Sequence, residues 1–453
     1  MSNKLLKKHK LPPIAILAIG YLVIILTGTI LLLMPFSKNP GETTKFVDAF
    51  FTATSATCVT GLIPYDTATH WSMAGQIIIL CMIQIGGLGF MTFISLVVMI
   101  FKRNIGLYNQ RLMMQSSATY TRSQIIPFIK RILVASLFFE IIGATLLTLC
   151  FRSEYGSKAI YYGIFHSISA YCNAGFDIFA FNGGSITGYY NNPFVLFILA
   201  FLIIFGGLGF LVYNDILVKK FRFKKFELHT KIVLVFTLVL IIVPMLLYLM
   251  LEFTNFPANG AFSNYSLGEK LLNAFFMSVT TRTAGFNAID LTQLSSSGKL
   301  LTIVLMLIGG NTGSTAGGIK VTTFIIIIAT LISSAKNKED IELFKATVPT
   351  KVVKQSTALI SAYLVLILLS VFLIGAIETN NFSFENILFE VTSAIGTVGL
   401  SVGVSATASA FTKFLLAFLM FSGRIGAFTL FDLLFKDKNS RVLRKPEGRV
   451  LVG

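Results

Sequence analysis

Uncharged apolar runs alternate with short polar, lysine-rich stretches along the whole chain. Five runs, at 14–34, 77–101, 193–214, 232–251 and 355–377, reach the roughly 20 residues that an α-helix needs to cross the hydrocarbon of a bilayer. Three more are interrupted: 132–151 carries Glu140, 300–334 is broken by a polar glycine-rich stretch, and 414–435 carries Arg424 and Asp432. The pattern predicts eight spans. The amino-terminal "MSNKLLKKHK" and its apolar run could pass for a secretory signal. That run is too long for one, and no small-residue cleavage site follows before Pro35, so it is read as the first span.

Between the two spans of each pair lies a segment too short and too amphipathic to cross. The four are "FVDAFFTATSATCVTGLIPYD", "YYGIFHSISAYCNAGFDIF", "LLNAFFMSVTTRTAGFNAID" and "FENILFEVTSAIGTVGLSVG". Each begins as an aromatic-rich helix, passes through Ser or Thr, and ends in a small residue, Gly, then Leu or Phe. Their glycines, Gly61, Gly175, Gly285 and Gly399, are 114, 110 and 114 residues apart. A GxxG core recurs in the span after each: Gly86/Gly89, Gly206/Gly209, Gly310/Gly313 and Gly423/Gly426. Small residues at this spacing mean tight helix packing in lipid more often than chemistry. The repeat unit is therefore span, re-entrant segment, span, with units at 1–101, 102–218, 219–335 and 336–436 and a cytoplasmic tail at 437–453. Each unit starts on the same side, so the symmetry axis runs along the membrane normal rather than in its plane. The predicted fold is an all-α integral membrane protein with eight transmembrane helices in pseudo-fourfold arrangement around one pore.

Composition agrees. Of 453 residues, 55% are hydrophobic, 13% are charged and 43 are Phe, too little polar surface to coat a water-soluble globule. The net charge of +17 is distributed by topology: 27 of the 37 basic residues lie before the first span, at 102–131, 219–231 and 336–354, and from Lys436 onward. Threading eight spans puts all five stretches on one side, and the positive-inside rule makes that side the cytoplasm, with both termini. No basic domain with aromatic platforms exists to bind nucleic acid. Cys58, Cys81, Cys150 and Cys172 show neither a disulfide framework nor metal-ligand spacing, and the four histidines neighbour no Cys or carboxylate at ligand spacing.

Non-helical backbone at membrane depth must face protein or a watery cavity, because lipid offers no hydrogen-bond partner. Four short helices dipping inward aim their negative ends at the axis, which favours a cation. The residues before each glycine can then turn carbonyl oxygens inward, with glycine supplying backbone angles that a Cβ resists. The candidate ion-binding turns are Thr57, Cys58, Val59, Thr60 and Gly61; Cys172, Asn173, Ala174 and Gly175; Thr283, Ala284 and Gly285; and Gly396, Thr397, Val398 and Gly399. One such glycine alone could equally make a tight turn; the fourfold period favours the ion site. Asp66, Asp177 and Asp290 follow the glycines closely, as a cation-concentrating outer mouth or as a solvated rim.

Together the four span-loop-span units, the single glycines, the polar break in the third unit's second span and the arginine in the fourth unit's second span resemble the Trk/Ktr/HKT superfamily of potassium transporters. With no extra helices before the first unit, the chain is most similar to the membrane subunit of bacterial Ktr systems. The resemblance implies potassium permeation, since all four filter positions are glycine, and sodium as coupling or activating ion. It also implies a homodimer in the cell membrane docked on a cytoplasmic ring of nucleotide-binding regulatory subunits; the basic stretch "KKFRFKKFELHTK" and the tail are candidate attachment points. The four turns share only glycine, unlike the longer TVGYG of tetrameric channels, which implies fewer ion sites and looser selectivity.

The run "IGGNTGSTAGGIK" at 308–320 cannot propagate a helix in lipid, and it lacks the Gly-Lys-Ser/Thr of a phosphate loop. The resemblance makes Gly309, Gly310, Asn311, Thr312, Gly313, Ser314, Thr315, Gly317, Gly318 and Lys320 a gate beneath the filter; a helix kink is the plainer reading. Arg424 completes the gate if it faces the pore, or pairs with Glu140, Glu390 or Asp432 if it is structural. Arg282 is expected to point away from the axis and tie re-entrant segments together, Glu390 being a candidate partner. A proton- or sodium-coupled carrier of another small solute is the alternative function, although the inverted repeats expected of it are missing and the spans carry no set of midplane carboxylates beyond Glu140 and Asp432. An enzyme would need a clustered nucleophile, base or metal set, which is lacking.

Overall fold

The computed structural model describes residues 13–89, 125–180, 185–253, 262, 265–338, 340–379 and 381–426. The expected tail 437–453, Asp432, the basic stretch 102–124, and positions 90–101 and 427–435 of two apolar runs lie outside the described residues.

In chain order the first helices are α1 (Pro13–Leu33), α2 (Phe46–Cys58) and α3 (Met73–Leu88). Then come α4 (Ile125–Tyr155), α5 (Ala159–Tyr171), α6 (Pro193–Leu208) and α7 (Phe210–Lys219). The third group is α8 (Leu228–Tyr248), α9 (Leu267–Thr280), α10 (Ser296–Leu307) and α11 (Val321–Ala335). The last is α12 (Thr350–Ile377), α13 (Phe384–Gly396) and α14 (Ala410–Ile425). By length and composition α1, α4, α8 and α12 can each cross a bilayer unbroken. The other expected spans differ. The run 193–214 is two helices bent by 87° at Gly209, and 300–334 is the pair α10 and α11 with a loop between. A two-residue hairpin, Glu342–Leu343 with Ala346–Thr347, interrupts the otherwise helical chain; Phe344 and Lys345 take φ 49° and 65° in its turn.

Helix starts follow side-chain chemistry. Ser72, Ser295, Ser383 and Ser409 each accept the backbone N–H three residues on, and Ser266 forms a reciprocal capping box with Glu269. The faces turned outward are apolar: Leu364, Leu368 and Phe372 on α12 are 49%, 68% and 71% exposed, one stripe spaced for lipid contact. Since lipid is as apolar as these side chains, helix association rests on close packing and internal hydrogen bonds rather than on hydrophobic burial.

The short helices α2, α5, α9 and α13 are the most buried, and their packing is cyclic. Beyond its contacts within its own group, α5 packs on α3, α9 on α6, α13 on α10, and α2 on α14. The last contact joins the two ends of the fold. There Phe50 meets Phe414 at 5.5 Å between ring centroids, and Lys413 Nζ pairs with Asp48 Oδ1 at 2.7 Å in a buried ion pair. Tyr65 donates to the other Asp48 oxygen at 2.7 Å.

Candidate ion pathway

The four short helices end immediately before the predicted turns. In each turn the residue two before the glycine is left-handed: Val59 (φ 57°), Asn173 (59°), Thr283 (70°) and Thr397 (51°). The glycines are left-handed too, at 97°, 69°, 81° and 95° for Gly61, Gly175, Gly285 and Gly399. A β-branched residue at positive φ is an outlier that its surroundings must enforce. The enforcing bonds recur. The N–H before each glycine returns to the helix it has left: Thr60 to Ser55 O, Ala174 to Ser169 O, Ala284 to Thr280 O and Val398 to Ser393 O, at 2.8–3.0 Å. Hydroxyls on the same four residues complete the turn. Ser55 and Ser393 accept the N–H of Gly61 and Gly399 at 3.0 and 3.1 Å, and Ser169 and Thr280 donate to the carbonyls of Phe176 and Phe286. The Ser/Thr passage is plain in the sequence, but this role is not.

The glycines meet one another. A Cβ built on Gly61 would lie 3.2 Å from the Cα of Gly175, one on Gly175 2.8 Å from that of Gly285, one on Gly285 3.2 Å from that of Gly399, and one on Gly399 3.0 Å from that of Gly61. The sequence closes on itself, so the four turns surround one point. Among buried side-chain oxygens nearby, Thr57, Thr60 and Thr397 Oγ1 have no partner.

The GxxG glycines divide their labour. A Cβ on Gly86, Gly206 or Gly423 would overlap the carbonyl of Thr57, Tyr171 or Ile395, the residue four before the ring glycine. The tight packing expected of these motifs is therefore against the turns themselves. The second glycines, Gly89, Gly209, Gly313 and Gly426, all have φ between 74° and 97°; Gly89 and Gly426 follow the last residue of α3 and α14, Gly209 is the bend between α6 and α7, and Gly313 lies in the loop after α10.

In the third group the break opens into a loop. Its ends are joined by Gly309 N to Ile319 O (2.8 Å) and Val321 N to Gly310 O (3.2 Å). Asn311 donates through N and Nδ2 to Gly207 O, Phe210 N donates to Gly313 O, and Thr312 meets Thr322. Ser314 donates to Asn311 O, while Thr315 donates to Tyr171 O (3.2 Å) and Gly206 O (3.0 Å). Gly317 lies against the Thr397 side chain and Gly318 beside Gly396 O. Lys320 Nζ donates to Ala316 O and Gly317 O at 2.6 and 3.1 Å. The loop thus contacts two of the four turns, the second at Tyr171 and the fourth at Gly396 and Thr397.

Arg424 donates to Thr315 O, Gly86 O and Gly87 O, so one guanidinium joins the loop to α3. It pairs with neither Glu140, which accepts from Gln84, nor Glu390, whose oxygens take Ser401, Val402 N and Ser405 N. The expected partner of Arg282 is likewise corrected. Arg282 donates to Thr237 Oγ1 on α8 at 3.3 Å, because Glu390 is satisfied inside its own exit loop. Of the acids after the glycines, Asp66 and Asp290 cap the turns that follow them, and Asp177 is buried with its carboxylate on Phe179 N. The four cysteines are free, and no metal-ligating cluster occurs among the described residues.

Residues 14–441 match the family described as TrkH, cation transport protein. The potassium/sodium uptake protein NtpJ of Enterococcus hirae is 39% identical, covering 98% of each chain. The Ktr system potassium uptake protein B of Bacillus subtilis is 37% identical over 100% of this chain and 99% of its own. Among solved structures, the potassium transporter TrkH of Vibrio parahaemolyticus shares the fold with a TM-score of 0.74 at 19% identity, over 94% of this chain and 86% of that one. The chain is a member of the TrkH cation transport family, a multi-pass membrane transporter and not an enzyme.

Proposed function

We propose that the protein takes up potassium across the cell membrane through a pore at the point where its four glycine turns meet. The observation that carries this reading is the cyclic contact of Gly61, Gly175, Gly285 and Gly399. Four helices of 13 or 14 residues, each about 20 Å long at 1.5 Å per residue, end beside that ring. Their carbonyl ends place negative dipole where a cation sheds its water. The unpartnered hydroxyls of Thr57, Thr60 and Thr397 are further oxygens for an ion or its remaining waters. The filter residues are those of the four predicted turns.

The loop of residues 309–318, held by Lys320 and Arg424, is the gate. It touches Tyr171 and Thr397, and the polar contacts that keep it there are hydrogen bonds to carbonyls and hydroxyls, with no ion pair to the loop among the described residues. Such bonds net about 1 kcal/mol each, more for the charged donors, so the loop is fixed at rest and displaceable as a unit. The names of NtpJ and the Ktr relative support potassium as cargo and sodium as coupling or activating ion. By the same likeness the working unit is a homodimer on a cytoplasmic ring of nucleotide-binding subunits, with both termini on that side. Growth of a potassium-uptake-deficient host at limiting potassium, with rubidium flux into proteoliposomes, tests the reading. Rescue and flux are expected; neither, with folded protein present, would overturn it.

A further inference from the structure

Glu140 is a carboxyl in the middle of α4, 6% exposed, and among the described residues no basic side chain pairs with it. An ionisable group at this depth costs several kcal/mol unless something uses it. Its partner is an amide. Gln84 Nε2 on α3 donates to Glu140 Oε1 and Oε2 at 3.0 and 3.1 Å, and Gln84 Oε1 accepts the Cys172 thiol at 3.7 Å. Cys172 is fully buried, three residues before Gly175, and a Cβ on Gly87 would lie 2.6 Å from its Sγ. The Glu140 backbone holds the same helix, since Ser167 Oγ on α5 donates to Glu140 O at 2.7 Å.

We infer that Glu140 is a positioning residue for ion selectivity, fixing the Gln84 amide so that its oxygen holds Cys172 and with it the second turn. An amide bridging two groups has two orientations. Only a strong acceptor at position 140 selects the one that leaves Oε1 for the thiol, because the NH2 must then face the carboxyl. The chain is asymmetric by design of the sequence. The equivalents of Cys172 are Cys58, Arg282 and Gly396, and Arg282 is held instead by Thr237. The second turn is therefore adjustable separately from the other three. The inference rests on the filter reading given above.

The test is the ratio of rubidium to sodium flux in proteoliposomes, with folded yield monitored by gel filtration. Glu140→Leu is expected to lower the ratio about fivefold, the effect of one ordinary hydrogen bond, while Glu140→Gln, whose amide can present either an acceptor or a donor to Gln84, rescues part of that loss. Gln84→Leu is expected to match Glu140→Leu, and the double variant to lose no more than either. An unchanged ratio in Glu140→Leu, failure of Glu140→Gln to rescue, or additive losses would overturn the inference. If Glu140→Leu does not accumulate, the ratio of Gln84→Leu on its half-buried site decides. Gly175→Ser separates the two ideas. If it shifts the ratio and Glu140→Leu does not, only this inference fails; if it shifts nothing, the filter reading fails and this inference with it.

Discussion

Val59, Thr283 and Thr397 hold a left-handed backbone that their β-branched side chains resist and that Asn173 tolerates, and four hydroxyl-bearing residues supply the restraint. Ser393 illustrates the balance. Its carbonyl takes Val398 N, and its hydroxyl takes Gly399 N, in a residue that is fully buried. In Ser393→Ala the glycine N–H is left unpaired at a cost of about 1–3 kcal/mol. Thermal unfolding in detergent should fall accordingly, and sodium flux should rise relative to rubidium. An unchanged flux ratio with lowered stability would make the hydroxyl a fold residue only. Glu378 makes a similar case outside the spans. Burial disfavours its charge, but donors from Ser409 N, Asn381 and Thr412 overcome this and hold its carboxyl at about 2. A depressed acid stabilises above its unfolded value of about 4.3 and loses that stability as pH falls toward 2. The melting temperature should therefore decline below about pH 4 in the parent, by less in Glu378→Gln, which should already be lower at pH 7.

Helices and turns show what was legible in the chain and what was not. The ring glycines could be read because left-handed backbone with no room for a Cβ leaves one residue choice, and the choice recurs at a fixed period. The residues two before them take the same backbone region as Val, Asn and Thr, so composition carried no signal. The long apolar runs gave α1, α4, α8 and α12. The bend at Gly209 was not legible because a glycine within an apolar run reads as close packing until its φ is known. The partner of Arg282 was out of reach because Thr237 is 45 residues away on another helix. The loop at 308–320 was visible by its polarity, and its length sets its role as an element. Shortening it between Gly310 and Gly318 should raise resting ion leak in proteoliposomes at equal expression, and Arg424→Gln should do so to a lesser degree, since Lys320 still holds the far side. A tight, leak-free shortened variant would contradict the gate.

On the scale of the molecule, cyclic packing of each short helix on a span of the preceding group makes four unequal sequences share one centre. The join between the ends is braced by Phe50 on Phe414 and the buried Lys413–Asp48 pair. Breaking such a pair from one side costs about 3–5 kcal/mol because the other charge is stranded, so the closure tolerates little slack. If the four turns form one site, each glycine must contribute to it regardless of its distance along the chain. The most direct measurement is the rubidium-to-sodium flux ratio of four single variants, Gly61→Ser, Gly175→Ser, Gly285→Ser and Gly399→Ser, in proteoliposomes. A lowered ratio in all four, by comparable factors, is the expected result; a variant that folds and keeps the parent ratio would contradict a shared site.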